Sequence, residues 1–217
     1  MQIFLDTANL DEIRHAARLG VLEGVTTNPS IAAKEGISDL AGYKKAVLEI
    51  IDEVGGPVSA EVVSSEASAM IDEGKEIASW SKDVVVKIPS TLDGLEAIAA
   101  LSDEGIRINQ TLCFSVNQAI LGANAGATYV SPFVGRLDEA GHDGIRLIAD
   151  IVKIFDIYSI PTKVLAASMR GPLHCVEAAK AGAHIATLPY KVLLQMMHHP
   201  LTDVRVTRFT QDWQGKS

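Results

Sequence analysis

The sequence predicts an α/β fold, a closed barrel of parallel strands with helices around it, and three observations carry that expectation. Short apolar runs alternate along the chain with longer segments of helical period, about eight of each. The apolar runs are continuous, which is the pattern of parallel strands covered on both faces. Parallel strands joined by helices take right-handed crossovers, and that repetition carried round a circle closes a (β/α)8 barrel. The competing architecture is an open doubly wound sheet, which would carry a glycine-rich phosphate loop after its first strand. Here the first strand runs into LDTANL, which is not GxGxxG, and no P-loop motif occurs.

The elements follow in order. Gln2–Asp6 is a short apolar run ending in a carboxylate, and Thr7 to Asn9 can cap a helix over Leu10–Leu19. Gly24–Thr27 is a second strand; it closes at Thr26-Thr27-Asn28-Pro29-Ser30, which has turn chemistry. Helical periodicity over Leu40–Val54 is broken by Gly55-Gly56-Pro57. Val58–Val62 is a third strand carrying Glu61, and Ala67–Ser81 is a helix. The fourth strand begins at Asp83 and reads DVVVKIP; Pro89 stops it, having no amide hydrogen for the ladder. Leu92–Ser102 is helical, and Gly105 turns into a strand over Ile106–Asn109. Ser115 can cap a helix over Val116–Ala125, and Gly126-Ala127 leads into a strand over Thr128–Ser131. Asp138–Phe155 contains a helix, Thr162–Ala166 is a strand, Pro172–Ala181 a helix and Ala183–Leu188 the last strand. Pro189–His198 reads as the last core helix, and Val204–Trp213 has a weaker helical pattern. No linker or low-complexity stretch divides the chain. The expectation is therefore one barrel domain over 1–217 with a helical tail from about residue 200.

Composition bounds the function. Of the 217 residues, 47% are hydrophobic but only 5% aromatic, so the core must be aliphatic. The formal net charge is -8 and no Lys/Arg-rich block occurs, which argues against a nucleic-acid partner. An anionic ligand would need a local positive pocket on this acidic protein. Cys113 and Cys175 lie in apolar surroundings and read as buried free thiols of a reducing compartment. The opening MQIFLDTANL has no basic segment leading into an apolar run, and no stretch is long enough to span a bilayer. A cytoplasmic location, with no membrane partner, is expected.

In a barrel, reactive groups sit at the C-terminal ends of strands. Those ends carry Asp6, Thr26-Thr27-Asn28, Glu61, Lys87, Asn109 with Thr111, and Ser131, and later Ser168 and Arg170. Lys87 has two readings. Its ammonium can reach water from the rim of the sheet. Alternatively, it points into a partly desolvated site, where burial disfavours an ammonium and a neutral amine can attack a carbonyl to form a Schiff base. Asp6 can be a helix cap, Ser131 and Ser168 small loop residues, and Arg136 and Arg170 surface charges. Glu61 in SAEVV is costly to bury unless paired. The placement is what favours chemistry, because several independent strands end in groups that a carbonyl reaction would use. An aldol cleavage needs an electron sink, supplied by an imine at Lys87, and a base for the hydroxyl proton, for which Asp6 is the candidate. Glu61 and a water held by Thr111 suit the proton transfers of carbinolamine formation. Asn28, Asn109 and Ser131 suit a sugar, and Arg136, Arg170 and Ser168 a terminal phosphate. His198-His199 and the separate His15, His142, His174 and His184 show no metal-ligand spacing, so no metal is expected. Lys34, Lys44 and Lys45 read as solvated helix charges, and Trp80 and Trp213 as packing residues.

FLDTAN at 4–9, GVTTNPS at 24–30, VVVKIPST at 84–91, INQTLCFSVNQA at 108–119 and YVSPFVGR at 129–136 closely resemble the transaldolase family. VLAASMR at 164–170, IATLPYKVLLQM at 185–196 and the closing DWQG at 212–215 agree with its short bacterial and archaeal branch, which also holds fructose-6-phosphate aldolases. The resemblance implies a TIM barrel of the class I aldolase type with Lys87 as the Schiff-base lysine. It implies Asp6 as proton shuttle, Glu61 as acid/base acting through water, and Thr111 as that water's partner. Asn28, Asn109 and Ser131 become sugar-binding residues, and Arg136, Ser168 and Arg170 a phosphate clamp for phosphorylated sugars. No metal or organic cofactor is implied, and a homo-oligomer, a pentamer or a decamer, is. Aldolase members carry glutamine where Glu61 stands and tyrosine where Phe133 stands, so these two positions point to the transaldolase side.

Overall fold

The computed structural model describes residues 1–215; residues 216–217 of the expected tail lie outside the described residues. The first half runs β1 (Gln2–Asp6), α1 (Leu10–Arg18), β2 (Gly24–Thr26), α2 (Pro29–Lys34), α3 (Leu40–Val54), β3 (Val58–Glu61), α4 (Ala67–Ser79), β4 (Val84–Pro89) and α5 (Leu92–Asp103). The second half continues β5 (Ile108–Cys113), α6 (Val116–Asn124), β6 (Tyr129–Pro132), α7 (Val134–Glu139), α8 (Gly144–Ile157), β7 (Lys163–Ala166), α9 (Pro172–Lys180), β8 (Ile185–Leu188), α10 (Tyr190–Met197) and α11 (Pro200–Trp213). The strands are all parallel and close on themselves in sequence order, β1 pairing with β8. This is the (β/α)8 barrel that the sequence predicts.

Strand alternation divides the core in two. Outward-facing Leu5, Val25, Val86 and Val130 pack against the helix ring, where Ile13, Met70, Ile98 and Ile148 are fully buried. Inward-facing Phe4, Val85, Tyr129, Leu165 and Ile185 form a separate apolar plug inside the barrel. Each fully buried aliphatic side chain of this kind contributes about 1.5–3 kcal/mol. Gly24 pairs with Phe4 in register, and a Cβ at Gly24 would stand 2.5 Å from the Phe4 ring. The missing side chain on β2 therefore makes the room that the ring on β1 fills. Two residues further along most of these strands the same inward face becomes polar, Ala167 after Leu165 being the exception. Asp6 stands beside Thr26, and Glu61 beside Lys87, which stands beside Asn109. The apolar plug floors the barrel, and the polar layer opens at its C-terminal mouth.

Polar residues after the strands cap the next helices. Asn9 accepts from the amides of Asp11 and Glu12, and Ser115 from that of Gln118, as expected. Four segments differ from expectation. Pro29–Lys34 is a helix where turn chemistry was expected, because Asn28 caps it and Pro29 suits its first turn. Asp138–Phe155 contains the expected helix, α8, but a further short helix, α7, precedes it, with Gly141 at φ 80 between them, a conformation glycine adopts without strain. β5 starts and ends later than Ile106–Asn109. Its polar residues continue the strand because most are served internally: Asn109 bonds within the barrel, and Gln110 donates outward to the Gln118 carbonyl at 3.0 Å. α11 is a full helix from Pro200, yet none of its residues is buried. Leu201, Val204, Phe209 and Trp213 are exposed along it, so Trp213 is not a packing residue within this chain. Among the described residues no helix is long and apolar enough to cross a membrane.

Candidate active site

A cavity of about 790 Å³ opens at the C-terminal mouth of the barrel. Its wall includes Asp6, Glu61, Lys87, Ser131, Arg136 and Arg170, which come from five different βα units, Ser131 and Arg136 sharing one. Lys87 is on β4, where alternation aims it inward, and its residue is only 5% exposed. It does not snorkel to water. Its Nζ donates to Glu61 Oε2 at 2.8 Å and to the Thr27 carbonyl at 3.3 Å. A buried ammonium and a buried carboxylate are each costly alone, and direct pairing offsets the cost of both. Glu61 is the adjacent inward residue on β3, so the strand register itself makes the pair.

A relay of hydrogen bonds holds Glu61 in place. The Glu61 amide donates to the Tyr43 hydroxyl at 3.0 Å. That hydroxyl is 2.7 Å from Thr27 Oγ1, which in turn donates to the Ser59 carbonyl at 2.8 Å. Since Thr27 spends its proton on Ser59, the phenol donates to Thr27. Burial pushes the Tyr43 phenol up to about 12, so it keeps its proton at neutral pH. Nothing in the sequence singles out Tyr43 for this role, because its hydroxyl acts on the backbone of another element.

Asp6 ends β1 in the cavity wall, and its Oδ1 accepts from Thr26 Oγ1 at 2.7 Å. Thr26 also meets Thr187 Oγ1 at 2.7 Å, which braces Asp6 from both neighbouring strands. Asn109 and Ser131 are joined, Ser131 Oγ donating to Asn109 Oδ1 at 2.6 Å, while Asn109 Nδ2 donates to Ser59 Oγ at 3.0 Å. Asn109 lies beneath the cavity, and Ser131 reaches its wall. Asn28 also lines it, with Oδ1 capping α2. Thr111 is fully buried on β5; its Oγ1 has no hydrogen-bond partner among the described residues. Phe133 packs edge to face on Phe114, ring centroids 5.5 Å apart, and both line the cavity.

The far rim carries Arg136 on α7 and Ser168 and Arg170 after β7. Ser168 and Leu112, at φ 59 and 52, both line the cavity in the left-handed region, a conformation costing about 1 kcal/mol or more for a side chain with a Cβ. The Arg170 amide donates to His174 Nδ1 at 3.2 Å, and His174 Nε2 lies 3.1 Å from Asp138 Oδ2, fastening this loop to the end of α7. Of the sequence-predicted site residues, Asp6, Asn28, Glu61, Lys87, Ser131, Phe133, Arg136, Ser168 and Arg170 line one mouth, and Asn109 is bonded to Ser131 beneath it; Thr111 is buried on β5 and is not part of the wall. The structure also adds Lys34, expected as a solvated helix charge, to the wall. The only sequence signal for Lys34 was its distance from the TTNPS motif, which becomes informative once Pro29–Lys34 is known to be helical. Among the described residues, no group of three or more His, Cys, Asp or Glu side chains could hold a metal ion.

A (β/α)8 barrel with acid, base and amine side chains gathered at its C-terminal mouth is the architecture of a barrel enzyme. The model of the family Transaldolase/Fructose-6-phosphate aldolase matches residues 3–215. A probable transaldolase from Dehalococcoides mccartyi is 58% identical over 215 residues, covering 99% of each chain. Another probable transaldolase, from Desulforudis audaxviator, is 59% identical over 213 residues, covering 98% of this chain and 97% of its own. Among solved structures, a thiamine phosphate pyrophosphorylase from Pyrococcus furiosus shares the fold alone, with TM-score 0.62 at 14% identity over 90% of this chain and 93% of its own. The chain belongs to the transaldolase/fructose-6-phosphate aldolase family and is an enzyme of that type.

Proposed function

We propose that the enzyme is a transaldolase that moves a dihydroxyacetone unit from sedoheptulose 7-phosphate to glyceraldehyde 3-phosphate. The products are erythrose 4-phosphate and fructose 6-phosphate, which belongs to the non-oxidative pentose phosphate pathway. The observation that carries this reading is the buried contact of Lys87 Nζ with Glu61 Oε2 at 2.8 Å, opening on the cavity. Glu61 takes a proton from Lys87, and the neutral amine attacks C2 of the ketose to give a carbinolamine. Proton return to the leaving hydroxyl expels water and leaves the protonated imine. Asp6 then removes the proton of the C4 hydroxyl. The C3–C4 bond breaks, its electrons pass to the imine, and the aldehyde leaves. The enamine on Lys87 adds to the incoming aldehyde, Asp6 returns the proton to the new hydroxyl, and hydrolysis frees the ketose. The sequence suggests that Glu61 works through water. The direct Lys87–Glu61 contact supports a shorter route for the first transfer, and the unpartnered Thr111 hydroxyl suits a water in the later ones. Asn28, Asn109 and Ser131 bind the sugar, and Arg136, Ser168 and Arg170 the phosphate.

Phe133 decides the fate of the enamine. It offers the cavity a ring and no proton, so the enamine waits for an acceptor aldehyde. The exposed apolar residues of α11, with no partner among the described residues, support a homo-oligomer in which this helix packs on a neighbouring copy, as a tail on one barrel domain. A coupled assay tests the reading by following erythrose 4-phosphate formed by transfer against free dihydroxyacetone released without acceptor. Transfer should dominate. Release as fast as transfer would make the enzyme a fructose-6-phosphate aldolase instead.

A further inference from the structure

One rim residue has no part in the chemistry above. Glu139, the last residue of α7, accepts from Arg170 Nε through Oε1 at 2.9 Å, with Arg170 Nη2 also 2.9 Å from that oxygen as an ion-pair contact, and from Arg136 Nη1 through Oε2 at 2.9 Å. Two guanidiniums from successive βα units therefore converge on a single carboxylate. No other hydrogen bond holds that carboxylate among the described residues. Its side chain is 49% exposed, free on one side to turn toward water. The two cations, with Arg170 foremost, hold the Glu139 carboxyl below the usual carboxylate range, so it is an anion at neutral pH.

The donors that Glu139 occupies are the ones a phosphate would take. The Nε–Nη2 edge of an arginine is one of its phosphate-binding edges, and Arg136 closes the same focus from the other side. We propose that Glu139 is a resident counter-anion of the phosphate clamp, which the terminal phosphate of the substrate must displace. The inference rests on the reading of Arg136 and Arg170 as that clamp. Two guanidiniums brought together with nothing between them repel, and Glu139 keeps them converged before substrate arrives. A phosphate dianion carries more charge and more acceptor oxygens than one carboxylate, so it wins the exchange. Weaker anions do not, and Glu139 thereby keeps them off the clamp. The carboxylate turns out to water on displacement and returns as the product phosphate leaves.

The test is inhibition of the full-length enzyme by inorganic phosphate, measured against fructose 6-phosphate. Glu139→Gln keeps the length of the side chain and removes the competing charge. The inhibition constant for phosphate should fall about fivefold, the worth of an exposed ion pair lost from competition. The KM for fructose 6-phosphate should fall with it, and kcat should stay near the wild-type value. Arg136→Ala and Arg170→Ala should each raise the phosphate inhibition constant. If both arginine variants weaken phosphate but Glu139→Gln binds it no more tightly than wild type, Glu139 is only a structural bridge and the inference is overturned. If phosphate is indifferent to both arginines, the clamp reading itself falls and takes the inference with it.

Discussion

Tyr43→Phe removes one hydroxyl from behind the Lys87–Glu61 pair and leaves the ring in place. The ring is buried and stacks edge to face on Trp80 at 5.9 Å, contacts that phenylalanine keeps. What is lost is the acceptor of the Glu61 amide at 3.0 Å and the donor to Thr27 Oγ1 at 2.7 Å. An amide left without its partner in a partly buried place costs about 2 kcal/mol. For a chain of this size each kcal/mol moves Tm by about 2–4 °C, so the variant should melt about 4–8 °C below wild type. The same change frees the end of β3 that aims Glu61 at Lys87. We expect kcat for transfer to fall about tenfold, equivalent to about 1.4 kcal/mol, with KM little changed. Burial raises the Tyr43 phenol to about 12, so its proton-linked stability is present below the ordinary tyrosine pKa and is lost as pH rises through the folded value. The wild type should therefore lose a part of its alkaline stability that Tyr43→Phe does not. Thermal melts at fixed protein concentration and steady-state transfer assays read both effects. A variant that melts with wild type and transfers at the same rate would refute the relay from Tyr43 to Glu61.

Phe133→Tyr should raise release of free dihydroxyacetone relative to transfer, because a hydroxyl near the ring position of Phe133 can protonate the enamine; an unchanged ratio would assign the branch to another residue. Burial pushes the Cys113 thiol up to about 11, so the protonated thiol is the form the fold favours. Stability from that thiol is complete below the ordinary cysteine pKa and is lost as pH rises toward 11. Cys113→Ala should remove that segment of the alkaline stability curve, and a curve identical to wild type would contradict it.

Much of this molecule is legible in the chain because local and global signals agree. The run from Val84 to Ile88 could be nothing but a strand covered on both faces, and it is buried throughout. Once eight such strands alternate with helices, strand ends are the only place for Asp6, Glu61, Lys87 and Ser131 to meet. The parts that were not legible depend on tertiary context. Asn109, Gln110 and Thr111 look like a strand's end, since polar residues in a core must find partners; Ser59, Ser131 and the Gln118 carbonyl supply them for the first two. Lys34 looks like a solvated helix charge, and it is the barrel's closure that brings it to the cavity wall. Tyr43 carried no polar signal at all, because its hydroxyl acts on a backbone amide of another element. The tail reads weakly helical because the apolar face of α11 has no counterpart among the described residues.

Lys87 is proposed as the group that carries the dihydroxyacetone unit. Reduction of the enzyme with borohydride in the presence of fructose 6-phosphate, followed by peptide mapping, tests it most directly. Loss of activity together with a three-carbon adduct on the peptide containing Lys87, and on no other lysine, is the expected result. An inactivated enzyme with an unmodified Lys87, or an adduct on a different lysine, would contradict it.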